Sequence, residues 1–371
     1  MKYIADRTKR IDASGIRKVF ALAADLENPI NLSIGQPDYD VDELVKDEAI
    51  AQIQAGFNSY TQTWGIEELR TACTGYYQET FGHPLENVMV TSGVAGGLFL
   101  TLLATIEPGD EVIFADPFFV MYKHLVNLLG GTCVPVLTYP DFKLTPEAVE
   151  AAITPKTKLL IVNSPSNPTG VVLTKSELQA LADVAKKHEL LVISDEIYEG
   201  MDYDGDRASM VGMYEHLVIL NGFSKLAGMT GWRCGYAAGP PELIQQMNAL
   251  QQYTFVCAPS FAQKGAVKFF DVDNTPKIEA YRQKRDIIYN GLRELGYEVA
   301  KPGGAFYIFP KVPGEVSGDE SGTEFVTRAI AKSLLIIPGN VFSEKDTHFR
   351  ISFAATDDTL KRALEVLAEL V

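Results

Sequence analysis

The 371-residue sequence predicts an α/β fold: a mainly parallel, doubly wound sheet in a large domain, with a smaller, discontinuous α+β domain beside it. Three observations carry this expectation. Seven short β-branched or apolar runs follow one another through the middle of the chain, and helix-length stretches separate most of them. The C-terminal part changes to brief strands broken by Gly and Pro. The length, too great for one ordinary core, agrees with two domains.

The runs NVMVTS (87–92), EVIFAD (111–116), GTCVPV (131–136), TKLLIVNS (157–164), LLVISDE (190–196), LVILNG (217–222) and CGYAAG (234–239) each read as a strand. Residues 96–106, 119–129 and 176–188 place apolar side chains three and four apart and read as helices between them. Further helices are expected at 259–270 and around 277–295. FYIFP, LLIIPG and FRISFA are then short strands, and a last helix starts at Thr359. The large domain is expected over 45–255 and the small one over 1–44 and 256–371, since no Pro/Gly/Ser linker divides the chain and no internal repeat is present.

Composition excludes several classes of function. Hydrophobic residues make up 46% and charged residues 22%, the balance of a globular protein, and the formal net charge of −15 repels nucleic-acid phosphates and acidic lipid. No run approaches the about 18 apolar residues that would span a bilayer, and the opening MKYIADRTKRIDASG has no signal-peptide core, so a cytoplasmic location is expected. Cys73, Cys133, Cys234 and Cys257 form no CxxC pair and cluster with no histidine, so neither a metal site nor a disulfide is expected.

The chemistry concentrates at the ends of the expected strands. NGFSKLAGMTGWRCGY (221–236) joins two of them and carries two cations. A lysine at the end of a buried strand loses its proton readily and can attack an aldehyde, which marks Lys225; Arg233, eight residues on, offers a planar fork for phosphate, and Gly228 and Gly231 allow a tight path. A lysine for the aldehyde and an arginine for the phosphate would hold pyridoxal 5′-phosphate (PLP) at both ends. The plainer alternative is a surface lysine beside a glycine turn. In SDEIYEG, Asp195 closes an apolar strand and suits a protonated pyridine nitrogen, and Tyr198 suits the ring's phenolic oxygen; an Asp-Glu after a strand is otherwise more often a helix cap or metal ligand. NSPSNPTG (163–170) is mostly turn, but the Asn167 amide can donate to the same oxygen. In TSGVAGG the backbone of Gly93, Val94 and Ala95 can form an anion nest at a helix start, although the loop also reads as a loose dinucleotide-binding turn. Phe119 can lie on the pyridine ring or simply fill core, and Arg350, on a short strand, can take a substrate carboxylate bidentately or remain solvated.

In order and approximate separation, these segments resemble the class I/II aminotransferases of the fold-type-I PLP superfamily, from Ser33 to Arg350. LSIGQPDYD (32–40) is similar to that family's substrate loop, and SYTQTWGIEELR (59–70) is similar to the segment whose tyrosine reaches the neighbouring subunit's phosphate. The resemblance implies a homodimer in which Tyr60 crosses the interface. It gives Lys225 the Schiff base, with Ser224 beside it in the cofactor site, and Asp195 the pyridine nitrogen. Asn167 and Tyr198 receive the phenolic oxygen, Arg233 the phosphate, Gly35 a backbone contact to substrate, and Arg350 the α-carboxylate. Amino-acid and 2-oxo-acid substrates and a ping-pong transfer follow, with Lys225 moving the proton. The chain also departs from the pattern: Val94 and Ala95 replace hydroxyl or lysine side chains, Gly222 stands where serine is frequent, Phe119 where Tyr or Trp is common, and no second arginine for a distal carboxylate is evident. The same constellation serves β-eliminating C–S lyases and cyclopropane-forming synthases. A non-catalytic PLP-fold sensor is the rival from another class, but such proteins usually carry a DNA-binding segment, for which there is no room ahead of Ser14.

Overall fold

The structure, a computed structural model, describes residues 3–11, 26, 28–205, 207–314 and 320–371; Ser14 and most of the segment around it lie outside these. After a short strand β1 (Ile30–Asn31), all seven expected central runs form strands: β2 (Met89–Thr91), β3 (Glu111–Asp116), β4 (Thr132–Leu137), β5 (Thr157–Asn163), β6 (Leu191–Asp195), β7 (Leu217–Gly222) and β8 (Gly235–Ala238). They make one seven-stranded sheet in the order β2-β8-β7-β6-β5-β3-β4. Pairing is parallel from β7 across to β4, while β8 runs antiparallel to both β7 and β2.

Burial explains why these runs look as they do. Leu159, Leu160, Ile161 and Val162 of β5 are at most 2% exposed, because helices cover both faces of the sheet and leave no solvated side to impose alternation. One apolar core, with Leu160, Val192 and Ile219, lies on one face, and another, with Val112, Ile161 and Val218, on the other. Sequence signals fix several helix ends. Thr174 and Glu177 form a capping box at the start of Lys175–Lys187, and Gly130, in a left-handed conformation, closes Val120–Leu129. Helix Gly93–Thr105 begins three residues earlier than its periodicity predicts, since the glycines that mask the amphipathic pattern are already helical.

A second core gathers Ile30 and Leu32 with the C-terminal elements: helices Thr275–Glu294, Gly322–Ala331 and Asp357–Ala368, and strands β9 (Tyr307–Ile308), β10 (Leu334–Leu335), β11 (Ile337–Pro338) and β12 (Phe349–Ser352). β1 pairs with β10, and β11-β12-β9 form a three-stranded antiparallel sheet. The run LLIIPG, expected as one strand, is split between these two sheets at Ile336. Helix Ser260–Phe269, past the expected boundary near residue 255, sends Ala262 and Ala266 into the core of the large sheet and packs on helix Glu43–Gln54. Asp116, at the end of β3, joins the two bodies: its buried carboxylate accepts from the Ser343 hydroxyl and from the backbone N–H of Glu344.

Candidate active site

The sheet determines where a ligand can sit. From β3 the chain continues outward to β4, and from β5 inward to β6, so the connections leaving these two neighbouring strands part in opposite directions at their carboxyl ends, where open α/β sheets hold ligands. Phe119 follows β3 and Asn167 follows β5 on either side of this crevice. The parallel register sets Asn163 beside Asp195 at the same edge, and just beyond β7 come Ser224 and Lys225. A cavity of about 400 Å³ opens here. Its walls include Lys225, Asp195, Tyr198, Asn167, Arg233 and Arg350, and also Gly35, Val94, Ala95, Phe119 and Ser224. Gly93 lies just behind, where a Cβ would come within 2.5 Å of Arg233 Nη2. Tyr60 is the one candidate the single chain does not bring to the cavity; it is 83% exposed.

Burial gives these groups unusual properties. The Lys225 ammonium loses stability mainly through burial and then through the nearby Arg350 and Arg233, against some support from Asp195, and its pKa falls to about 8. Its Nζ donates to the Gly35 carbonyl at 2.7 Å and stands 5.6 Å from the centre of the Tyr198 ring. Desolvation raises the Asp195 carboxyl above its ordinary value, opposed by a 2.6 Å bond from the Tyr122 hydroxyl and by the Ile197 N–H. Arg350 is 1% exposed between the rings of Tyr307 and Phe342, each 4.5 Å away. Its Nη1 donates to Asn167 Oδ1 and its Nη2 to the Ser33 carbonyl, while Nε has no partner among the described residues. A buried guanidinium with an unused donor is built for a further anion.

Arg233 adopts a left-handed backbone, φ 53°, after the single turn Thr230–Trp232. That conformation costs a non-glycine residue roughly 1–2 kcal/mol, and it turns the side chain back toward the first turn of helix Gly93–Thr105. Ser92 precedes this helix without capping it by its side chain, so its amino end presents backbone N–H groups beside the guanidinium, a cradle of a kind that suits a phosphate.

The donor set suits PLP group by group: an amine of lowered basicity for the aldehyde, a buried carboxylate for the ring nitrogen, a hydroxyl and an amide for the ring oxygen, and a cation with a helix end for the phosphate. Comparison with known proteins agrees. The family model "Aminotransferase class I and II" matches residues 27–367. The chain belongs to this family. The aminotransferase is similar to aromatic-amino-acid aminotransferase 2 of Thermococcus litoralis, 35% identical over 99% of this chain and 98% of that one. It is also similar to the aspartate/prephenate aminotransferase of Thermus thermophilus, 35% identical over 100% and 99%. The solved structure of aspartate aminotransferase from Thermus thermophilus with maleate superposes with a TM-score of 0.95 at 34% identity, covering all of both chains. PLP is therefore the cofactor and transamination the reaction.

Sequence reasoning missed several residues of this aminotransferase's site. Tyr122 was visible only as an apolar position of a helix, yet it is the partner of Asp195. Tyr307 lay in FYIFP, read as strand and nothing more, and Tyr39, which donates to the Lys225 and Leu226 carbonyls, lay inside a motif matched for other residues. A buried tyrosine must find a partner for its hydroxyl, so aromatic runs with Tyr rather than Phe were the available signal.

The departure at Gly222 also has a local cause. A Cβ there would stand 2.7 Å from Gly235 Cα on β8, and one on Gly235 would stand 2.8 Å from the carbonyl carbon of Gly93 and the nitrogen of Val94. Three glycine-containing segments are thus in backbone contact behind the phosphate cradle. Gly222→Ser is expected to cost the aminotransferase about 1–3 kcal/mol by overpacking, read as a lower denaturation midpoint in urea.

Proposed function

We propose that the lining residues divide the work of an aminotransferase whose amino donors carry uncharged, largely apolar side chains. The observation that carries the division is the convergence of Lys225, Asp195, Tyr198, Asn167, Arg233 and Arg350 on one cavity. Lys225 is the attachment point for the cofactor aldehyde. Asp195, held by Tyr122, would pair with the ring nitrogen; Tyr198 and Asn167 would serve the ring oxygen; Arg233, Ser224 and the backbone of Gly93, Val94 and Ala95 would hold the phosphate; Phe119 would pack on the ring. PLP, when bound, supplies an electron-withdrawing ring that acidifies the amino acid's α-carbon. Arg350, with the Gly35 backbone nearby, would clamp the α-carboxylate and so aim the α-hydrogen, and Lys225 Nζ would take that proton from the α-carbon and deliver it to the carbon that carried the cofactor's aldehyde. Repetition with a 2-oxo acid completes a ping-pong cycle.

The donor class follows from what is left over. Among the described lining residues the cations are Lys225, Arg233 and Arg350, each already assigned, and the remaining wall includes Ile34, Leu98, Phe119, Met121 and Ile197. A distal carboxylate would be desolvated there with uncharged groups such as Gln36, Asn163 and Thr230, and no unassigned cation, among the described lining residues to receive it. Two copies are proposed to pair so that Tyr60 reaches the partner's phosphate. Its segment bonds to the end of helix Pro241–Thr254 and to Gln263, beside the exposed Tyr253, Phe255 and Val256, an apolar patch suited to a second copy. Four cysteines without disulfides fit a cytoplasmic location.

The test is the absorbance of purified protein supplied with PLP and then with single amino acids and no acceptor. A visible band that disappears with phenylalanine, leucine or methionine, with formation of the matching 2-oxo acid, is the expected result, at a kcat/KM at least about tenfold above that for aspartate. Equal or better use of aspartate overturns the donor class, and a band that no amino acid alters overturns the division of roles.

A further inference from the structure

Tyr307 has no role in the division of labour above, yet its hydroxyl occupies the centre of the site. It lies 2.9 Å from the Tyr198 hydroxyl, and its ring is one of the two that sandwich Arg350. It also requires glycine at position 35, because any Cβ there would collide with the Tyr307 oxygen. The carbonyl of that same Gly35 accepts from Lys225 Nζ. Tyr307 comes from the C-terminal sheet and Tyr198 from the loop after β6, so this contact also joins the two bodies of the molecule.

We propose that Tyr307 is a positioning residue that sets the donor strength of Tyr198 and thereby the proton affinity of the cofactor-linked Lys225. A tyrosine hydroxyl has one proton. If Tyr198 spends it on the cofactor's ring oxygen, the 2.9 Å contact remains a hydrogen bond only with Tyr307 as donor. A hydroxyl that accepts one bond donates the next more strongly, by about 10–30%. Tyr307 thus holds negative charge on the ring oxygen at one remove, and its contact with Arg350 ties that effect to the group that receives the substrate carboxylate. The charged groups that face the pair are Lys225, Asp195 and Arg350, with Arg233 acting on Lys225. The inference rests on the proposed role of Tyr198, and the experiment separates the two.

The pH midpoint of the visible absorbance change is measured on holoenzyme of the wild type, Tyr307→Phe, Tyr198→Phe and the double variant, together with KM and kcat for one donor. Phenylalanine at 307 keeps the ring over Arg350, so KM is expected to hold within twofold. The midpoint is expected to rise by roughly half a pH unit and kcat to fall several-fold. In the Tyr198→Phe background the second substitution is expected to move the midpoint no further, since Tyr307 acts through Tyr198. An unchanged midpoint in Tyr307→Phe, or an equal shift in both backgrounds, overturns the proposal. An unchanged midpoint in Tyr198→Phe overturns the role of Tyr198 on which it stands.

Discussion

Replacing Lys225 by alanine is expected to slow the half-reaction with an amino acid by roughly 10⁴-fold or more, because attachment and proton transfer are lost together. A stopped-flow single turnover of variant supplied with PLP measures this directly, and a loss below tenfold would remove Lys225 from the chemistry. The environment of the amine adds a pH signature. The ordinary lysine value is 10.5 and this one is about 8. That difference of about 2.5 units makes the neutral, nucleophilic amine roughly 300 times more abundant at neutral pH. The charged form does not attack, so capture of PLP by apoprotein should accelerate as pH rises and level off above about 8. A surface lysine would keep accelerating toward 10.5.

Arg350→Ala is expected to lower kcat/KM for any amino donor by roughly 10²–10⁴-fold, the scale for removing one side of a buried, charge-assisted carboxylate contact. The visible band of the PLP complex should persist, since the role proposed for Arg350 is toward the substrate and not the cofactor. Loss of the band would assign the arginine to the cofactor instead. Asn167 Oδ1 and the Ser33 carbonyl lose their donor in this variant, and the space between the Tyr307 and Phe342 rings is left unfilled. Arg350→Lys keeps the charge but loses the planar fork, so it should recover only part of the activity.

The large sheet was legible because a parallel strand buried on both faces must be apolar from end to end, and between Gly and Pro signals such runs are unmistakable. The same property defeated the reading of LLIIPG, where an unbroken apolar run conceals the passage of the chain from one small sheet to another at Ile336. At the site, the residues that act by charge, Lys225, Asp195, Arg233 and Arg350, stood out from their strands. Of those that act by a hydroxyl on an aromatic ring, Tyr198 was found beside Asp195, whereas Tyr122, Tyr307 and Tyr39 were not, because an aromatic position in an apolar run reads as core unless its hydroxyl is asked for a partner. Tyr60 illustrates a third limit: its proposed partner is another molecule, and neither the sequence nor one chain places the two together.

The glycines behind the phosphate cradle also bear on how this lineage can change. Gly222 faces a glycine already, so no trimming of a neighbour would make room for a serine hydroxyl there; strands β7 and β8 would have to part. A single substitution toward the commoner arrangement therefore meets a stability barrier before any gain in cofactor grip. Variants that tighten this cradle should arise instead at Val94 and Ala95, which already line the cavity. An anchoring hydroxyl at position 222, which the resemblance to the family leads one to expect, is closed off in this protein by its own backbone.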